Sequence, residues 1–101
     1  MTVENYQAFY DAFQPADIEN KLVGNLKDGF NVCEEICDRW AEGDKVGLFY
    51  EGVSRPASSH TFAELKQRSA QFANLLKSRG IGKGDRVACL LPRTPELMVV
   101  V

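Results

Sequence analysis

TFAELKQRSAQFANLLKSRGIGKGDRVACLLPRTPELMVVV, residues 61–101, decides the fold. Its first half predicts one capped amphipathic helix. Thr61 and Glu64 have capping-box spacing: the hydroxyl accepts the amide of the third helical residue, and the carboxylate reaches back to the cap amide. Phe62, Leu65, Phe72, Leu75 and Leu76 recur at intervals of three and four, with small Ser69 and Ala73 between, which makes one apolar stripe. Lys66, Arg68, Lys77 and Arg79 fall on other faces, the last two near the negative end of the helix dipole. Gly80 predicts a glycine C-cap, and Ile81 its apolar closing contact.

Gly82, Lys83, Gly84 and Asp85 predict a tight turn. The alternating glycines look at first like a phosphate-binding loop, but such a loop follows a strand and opens a helix. Here the order is reversed, so the turn is a plain helix-to-strand connection. Val87–Leu91 is a continuous apolar run. Parallel strands covered on both faces have this pattern. Pro92 ends it. Thr94, Pro95 and Glu96 then supply an N-cap, a first helical position and an acidic first turn. Leu97–Val101 begin a very apolar helix with no C-cap, which is expected to continue beyond Val101.

The 101 residues suffice for at most one domain. A hydrophobic fraction of 45% and a charged fraction of 26% are those of an ordinary globular protein. The formal net charge of −2, without a basic patch, argues against nucleic acid as the main partner. No apolar run approaches the roughly 20 residues of a membrane span, and no secretory signal is visible. Cys33, Cys37 and Cys89 are odd in number, and Cys89 falls in the predicted buried strand. They predict reduced thiols and a cytoplasmic protein rather than a disulfide framework.

Upstream, residues 1–30 predict a helical segment. Tyr6, Phe9, Tyr10 and Phe13 share one face of a helix that ends before Pro15, and that face is expected to pack on the rest of the domain; a docking face for a partner is the alternative. Ala16–Val23 predicts another helical turn or two, and Lys27–Gly29 a loop. Asn31 and Glu34 repeat the capping pattern and predict a second amphipathic helix with Cys33, Ile36, Cys37 and Trp40 as its stripe, ended by Gly43. Cys33 and Cys37 share a face, but a structural zinc site needs four ligands, so no metal site is expected. Val46–Tyr50 predicts a strand and 51–59 a loop in which Ser54, Arg55 and Pro56 tolerate change. His60 sits in a short strand pairing back on Val46–Tyr50. It is expected to be structural, because no Ser-His-Asp set, paired carboxylates or Walker loop accompanies it.

Thr61-Phe62-Ala63-Glu64-Leu65, Gly84-Asp85-Arg86-Val87-Ala88 and Leu91-Pro92-Arg93-Thr94-Pro95-Glu96-Leu97 together resemble the N-terminal part of the AMP-forming adenylating enzymes. Phe30-Asn31-Val32-Cys33 and Cys37-Asp38-Arg39-Trp40 resemble the preceding segment of the acetyl-, propionyl- and medium-chain acyl-CoA synthetases. The resemblance covers residues 29–101 and, more loosely, the stretch before. It implies an α/β fold: residues 31–101 would open the large N-terminal domain, with helices packed on the first strands of a mixed or parallel sheet, after an N-terminal helical segment at 1–30.

The resemblance also implies a ligase that joins a carboxylate to CoA through an acyl-adenylate, using ATP, Mg²⁺ and CoA. The family's phosphate loop, adenine-binding segment, ribose Asp and catalytic Lys are absent from 1–101, so no catalytic residue is assigned. The stretch alone is expected to be inactive scaffold that self-associates. Arg93, just past the C-terminal end of the predicted strand, is the one candidate cofactor-binding residue, facing a phosphate of ATP or CoA, because ligands of open α/β sheets sit outside that edge. Two alternatives remain: an amino-acid-activating adenylation domain of a peptide synthetase, and a small non-catalytic α/β interaction module.

Overall fold

The computed structural model describes residues 3–101. They fall into two compact units that divide between Glu35 and Ile36. The first holds α1 (Val3–Ala12) and α2 (Pro15–Glu19); α3 (Val32–Ile36) spans the division. α2 opens with proline at its start, and the Asp17 carboxylate accepts the Gln14 amide at 3.0 Å. Asn25 Oδ1 then accepts the amides of Lys27 and Asp28 in a turn that Gly29 completes at φ +88°. Asn31 caps α3 by accepting the Cys33 amide at 3.0 Å. Glu35 reaches back so that one carboxylate oxygen accepts both the Val23 and Gly24 amides at 2.8 Å.

The aromatic face on α1 forms as the spacing predicts. Tyr6 and Tyr10 stack at 6.3 Å between ring centroids, and Phe9 lies 5.8 Å from Phe13. All four side chains are exposed. The helix predicted from Asn31 to Gly43 is also shorter than its pattern. α3 stops at Ile36, Cys37 turns aside, and Asp38–Trp40 is a 3-10 turn. Of its predicted stripe, Cys33 and Cys37 are half-buried, while Ile36 and Trp40 stay exposed.

The second unit is a hairpin with one long helix against it. β1 (Val46–Tyr50) pairs antiparallel with β2 (Ser58–Thr61). The register slips between Val46 and Leu48, a bulge centred on Gly47. Glycine suits that place because the ring of Phe62 lies against it; a Cβ there would meet ring atoms at 3.0–3.1 Å. The chain passes from β2 directly into α4 (Phe62–Ser78), and the capping box is present in full. The Thr61 hydroxyl accepts the Glu64 amide at 3.1 Å, and Glu64 Oε2 accepts the Thr61 amide at 2.9 Å. α4 packs against the 3-10 turn, β1, β2 and α5 (Pro95–Val100). It ends in a Schellman cap: the Ile81 amide donates to the Leu76 carbonyl and the Gly80 amide to the Lys77 carbonyl, with Gly80 at φ +80°.

One predicted element does not form. Val87–Leu91 has no regular secondary structure, and its side chains are exposed. A strand exists only as part of a ladder, and the sheet among the described residues has two strands, β1 and β2, neither paired with 87–91. The apolar pattern is there without the neighbours that would cover it. Pro95 is the one fully buried residue described.

The two ends of α4 give a paired prediction. Thr61→Ala removes the cap acceptor and is expected to cost about 1 kcal/mol. Gly80→Ala forces a Cβ into the left-handed region and is expected to cost about 1 kcal/mol as well. Gly82→Ala, at an ordinary φ with open space around it, is expected to be neutral. Circular-dichroism melts of the three variants check this, and an unchanged melting curve for Thr61→Ala would mean that the box contributes nothing.

Candidate functional site

Arg93, the one candidate site residue of the sequence, and the predicted cap Thr94 lie where residues 85–92, without regular secondary structure, meet α5. The Thr94 amide donates to the Pro92 carbonyl at 2.8 Å, a tight bend that sets Pro95 at the first helical position. Thr94 precedes the helix with extended backbone but does not cap it in the usual way; no helical amide donates to its side chain. Its hydroxyl instead bonds the Glu96 carboxylate. Arg55, in the β1–β2 loop 41 residues away, donates through Nη1 to both Glu96 oxygens at 3.1 and 3.2 Å. This Arg55–Glu96–Thr94 cluster ties the loop to the start of α5.

The cluster gives Arg55 a partner that the loop reading did not include. Nothing in the local sequence signals its role, because its partner is remote in the chain; the only hint was that Glu96 opens a helix. Arg93, the predicted cofactor-binding residue, is placed differently. It is exposed on the bend, and among the described residues no hydrogen bond or ion pair engages its guanidinium. The structure therefore brings Thr94 and Glu96 together with Arg55 and leaves Arg93 facing solvent.

The other candidates are structural in geometry. His60 Nε2 lies 3.1 Å from Ser58 Oγ, its neighbour on the same face of β2. The Cys37 thiol donates to the Phe62 carbonyl at 3.6 Å. Lys45 lies over Trp40 at 4.3 Å and over Phe62 at 5.8 Å, cation–π contacts of about 0.5–1 kcal/mol each at exposed sites. Asp38 and Lys66 form a loose 3.9 Å pair on the flank of α4, of small value in water.

These residues do not build a nucleotide or metal site. The glycine-rich turn offers no free anion cradle, because the Gly82 amide already donates to Asp85 Oδ2 at 2.7 Å. That carboxylate would also repel a phosphate. Among the described residues, no group of three or more His, Cys, Asp or Glu side chains is placed to hold a metal ion. Arg93 supplies a single cation, and phosphate recognition calls for several convergent donors.

Glu96 titrates in an unusual range. The Thr94 hydroxyl, then its own backbone amide and the Arg55 guanidinium, hold its carboxyl down to about 2 from an ordinary 4.5. The depressed value means that ionised Glu96 favours the folded state above pH 4.5. That contribution fades below 4.5 and is gone once the pH falls through about 2. Thr94→Val, which removes the largest cause, is expected to raise the Glu96 pKa more than Arg55→Gln does. Carbon-detected NMR titration of the Glu96 carboxyl checks the order; equal shifts, or none, would count against the hydroxyl contact.

Residues 37–101 match the AMP-binding enzyme family. The chain is 34% identical over 102 residues to the acetyl-coenzyme A synthetase of Bacillus subtilis, a match that covers 97% of this chain and 18% of that protein. It is 42% identical over 78 residues to the acetyl-coenzyme A synthetase of Streptomyces avermitilis, covering 73% of this chain and 12% of that one. The crystal structure of an acyl-CoA synthetase from Brucella canis superposes with a TM-score of 0.86 at 38% identity, over 93% of this chain and 17% of that one. The chain thus spans less than a fifth of the length of these relatives. No helix among the described residues is long and apolar enough to cross a membrane. The chain belongs to the AMP-binding enzyme family and matches the N-terminal segment of its acyl-CoA synthetases.

Proposed function

We propose that residues 1–101 serve as scaffold in an ATP-dependent acid–thiol ligase. In the proposed reaction a carboxylate oxygen attacks the α-phosphorus of ATP and pyrophosphate leaves. The thiol of CoA then attacks the acyl carbon and AMP leaves. ATP, Mg²⁺, CoA and a small carboxylic acid are the substrates this assigns to the whole protein, and the cytoplasm is its proposed setting. The observation that carries the proposal is the near-complete match of the chain to acetyl-coenzyme A synthetases, 97% of its length in the Bacillus subtilis case. Residues 1–30 are proposed as an N-terminal helical segment ahead of the adenylating domain, which begins near residue 31.

Within this stretch the proposed contribution is structural. α4 packs on the hairpin and on α5, and the Arg55–Glu96 pair links the β1–β2 loop to the first turn of α5. Arg93 is proposed to reach a phosphate of ATP or CoA. Its support is its exposed, unpaired guanidinium at the bend that follows the apolar run.

Purified full-length gene product is expected to exchange pyrophosphate into ATP when a carboxylic acid is added, and to release AMP when CoA follows. Exchange driven by amino acids, with no CoA consumed, would move the protein to the peptide-synthetase branch. The 101-residue chain alone is expected to give background exchange only. In the full-length protein, Arg93→Ala is expected to raise KM for ATP or CoA about tenfold with little change in kcat, as loss of a ground-state contact does. Unchanged kinetics would remove Arg93 from the site. By light scattering, the isolated chain is expected to self-associate with rising concentration, because its apolar surface lacks cover; a monomer throughout would oppose this.

A further inference from the structure

Arg93 has no partner among the described residues, although an acidic side chain stands only three residues further on. Three residues place the Cα atoms of Arg93 and Glu96 at most about 11 Å apart even in extended chain, and the bend brings them closer. An arginine and a glutamate side chain together span such a gap. The pair nevertheless does not form. Glu96 is taken by Arg55, whose Nη1 donates to both carboxylate oxygens at 3.1 and 3.2 Å, and by the Thr94 hydroxyl.

The backbone around Arg93 is restrained on both sides. The ring of Pro92 locks its own φ, and Thr94 precedes a proline, which confines it to extended backbone. It is found there, at φ −123° and ψ 165°. The Thr94 amide donates to the Pro92 carbonyl at 2.8 Å, and Pro95 is buried. These restraints hold the Arg93 backbone while its side chain stays exposed. What then decides whether the guanidinium is available is the charge beside it. The Thr94 hydroxyl, the Glu96 backbone amide and Arg55 hold the Glu96 carboxyl down to about 2, so at neutral pH it is an anion that attracts any cation in reach.

We propose that Arg55 is a positioning residue: by occupying Glu96 it keeps that carboxylate from capturing Arg93, and so leaves the Arg93 guanidinium free to take a phosphate of ATP or CoA. This rests on the reading of Arg93 above. A local Arg93–Glu96 pair would cancel the charge and use the donors that phosphate recognition needs. Arg55 supplies the neutralising charge from the β1–β2 loop, 41 residues away. The Arg55 and Glu96 side chains are 54% and 48% exposed, and a pair so open to water adds little to stability. Its effect is therefore read in binding rather than in folding.

Steady-state kinetics of the full-length protein with acetate, ATP and CoA test this, with a melting curve for every variant. Arg55→Gln is expected to raise the KM for ATP or CoA about fivefold at nearly constant kcat, because Glu96 then holds Arg93. Arg55→Lys, which keeps the charge, is expected to stay within about twofold of the unsubstituted enzyme. The decisive variant combines Arg55→Gln with Glu96→Gln. Removing the anion along with its partner is expected to bring KM back to within about twofold of its starting value. Arg55→Gln combined with Arg93→Ala is expected to be no worse than Arg93→Ala alone, since both act on one contact. Glu96→Gln by itself leaves no anion to hold off, so its KM is expected to be unchanged.

A raised KM that persists when Glu96→Gln is added overturns the proposal, because the loss is then mechanical. A KM raised by Glu96→Gln alone overturns it too, and this variant reads the proposal even where Arg55→Gln does not fold. An unchanged KM in Arg55→Gln, with a raised one in Arg93→Ala, overturns the role of Arg55 and leaves Arg93 at the phosphate. Unchanged kinetics in Arg93→Ala remove Arg93 from the site, and the role of Arg55 with it. A full-length protein inactive with acetate and with longer carboxylic acids overturns the ligase reading and the proposal together.

Discussion

At Thr61 the chain leaves the sheet and enters its longest helix without an intervening loop. Thr61 pairs with Val46 in the hairpin and in the next step caps α4. Phe62, the first helical residue, donates its amide to the Lys45 carbonyl at 3.0 Å, lays its ring against Gly47 and accepts the Cys37 thiol on its carbonyl. Strand, bulge, 3-10 turn and helix therefore meet at two residues. Because the cap fixes the helix axis relative to the strand, the direction of α4 follows from hydrogen bonds whose partners lie three residues apart. The Schellman cap at Gly80 then fixes where the chain leaves the helix.

From that junction outward, the second unit is held mostly by polar and geometric devices. Its hairpin is two-stranded, an arrangement of marginal stability by itself. Lys45 lies between the Trp40 and Phe62 rings, and Arg55 reaches across to Glu96. Exposed contacts of this kind contribute little individually, since water and mobile side chains compete with them. What is missing is a buried apolar interior, and the apolar side chains that would form one are on the surface. The chain spans less than a fifth of the length of the acyl-CoA synthetases it matches.

The bend at Pro92–Pro95 shows how a local rule can be met by unexpected atoms. The sequence Thr94-Pro95-Glu96 has the form of a helix start, and a helix does start there. The Thr94 hydroxyl serves the Glu96 carboxylate rather than a helical amide, and the carboxylate in turn holds Arg55. The glycine turn before it shows the converse. Its resemblance to a phosphate loop fails on order in the sequence and again in the structure, where Asp85 takes the amide that an anion would need.

Much of what neighbours three or four residues apart govern could be read from the sequence. The box at Thr61 and Glu64, the α4 stripe, the cap at Gly80 and the helix opening at Pro95 were legible, because hydrogen bonds and side-chain periodicity along a helix or turn are local; the β1–β2 hairpin was legible because its two strand segments are separated by one loop. The motif series around Thr61, Gly84 and Leu91 likewise carried the family. Tertiary structure alone decided three other matters. It ended the Asn31 helix at Ile36, joined Arg55 to Glu96 across 41 residues, and left Val87–Leu91 without a ladder. A strand and a long-range ion pair are properties of pairs of segments. The pattern at 87–91 states what that segment needs, and whether it becomes a strand depends on a partner that its own residues do not encode.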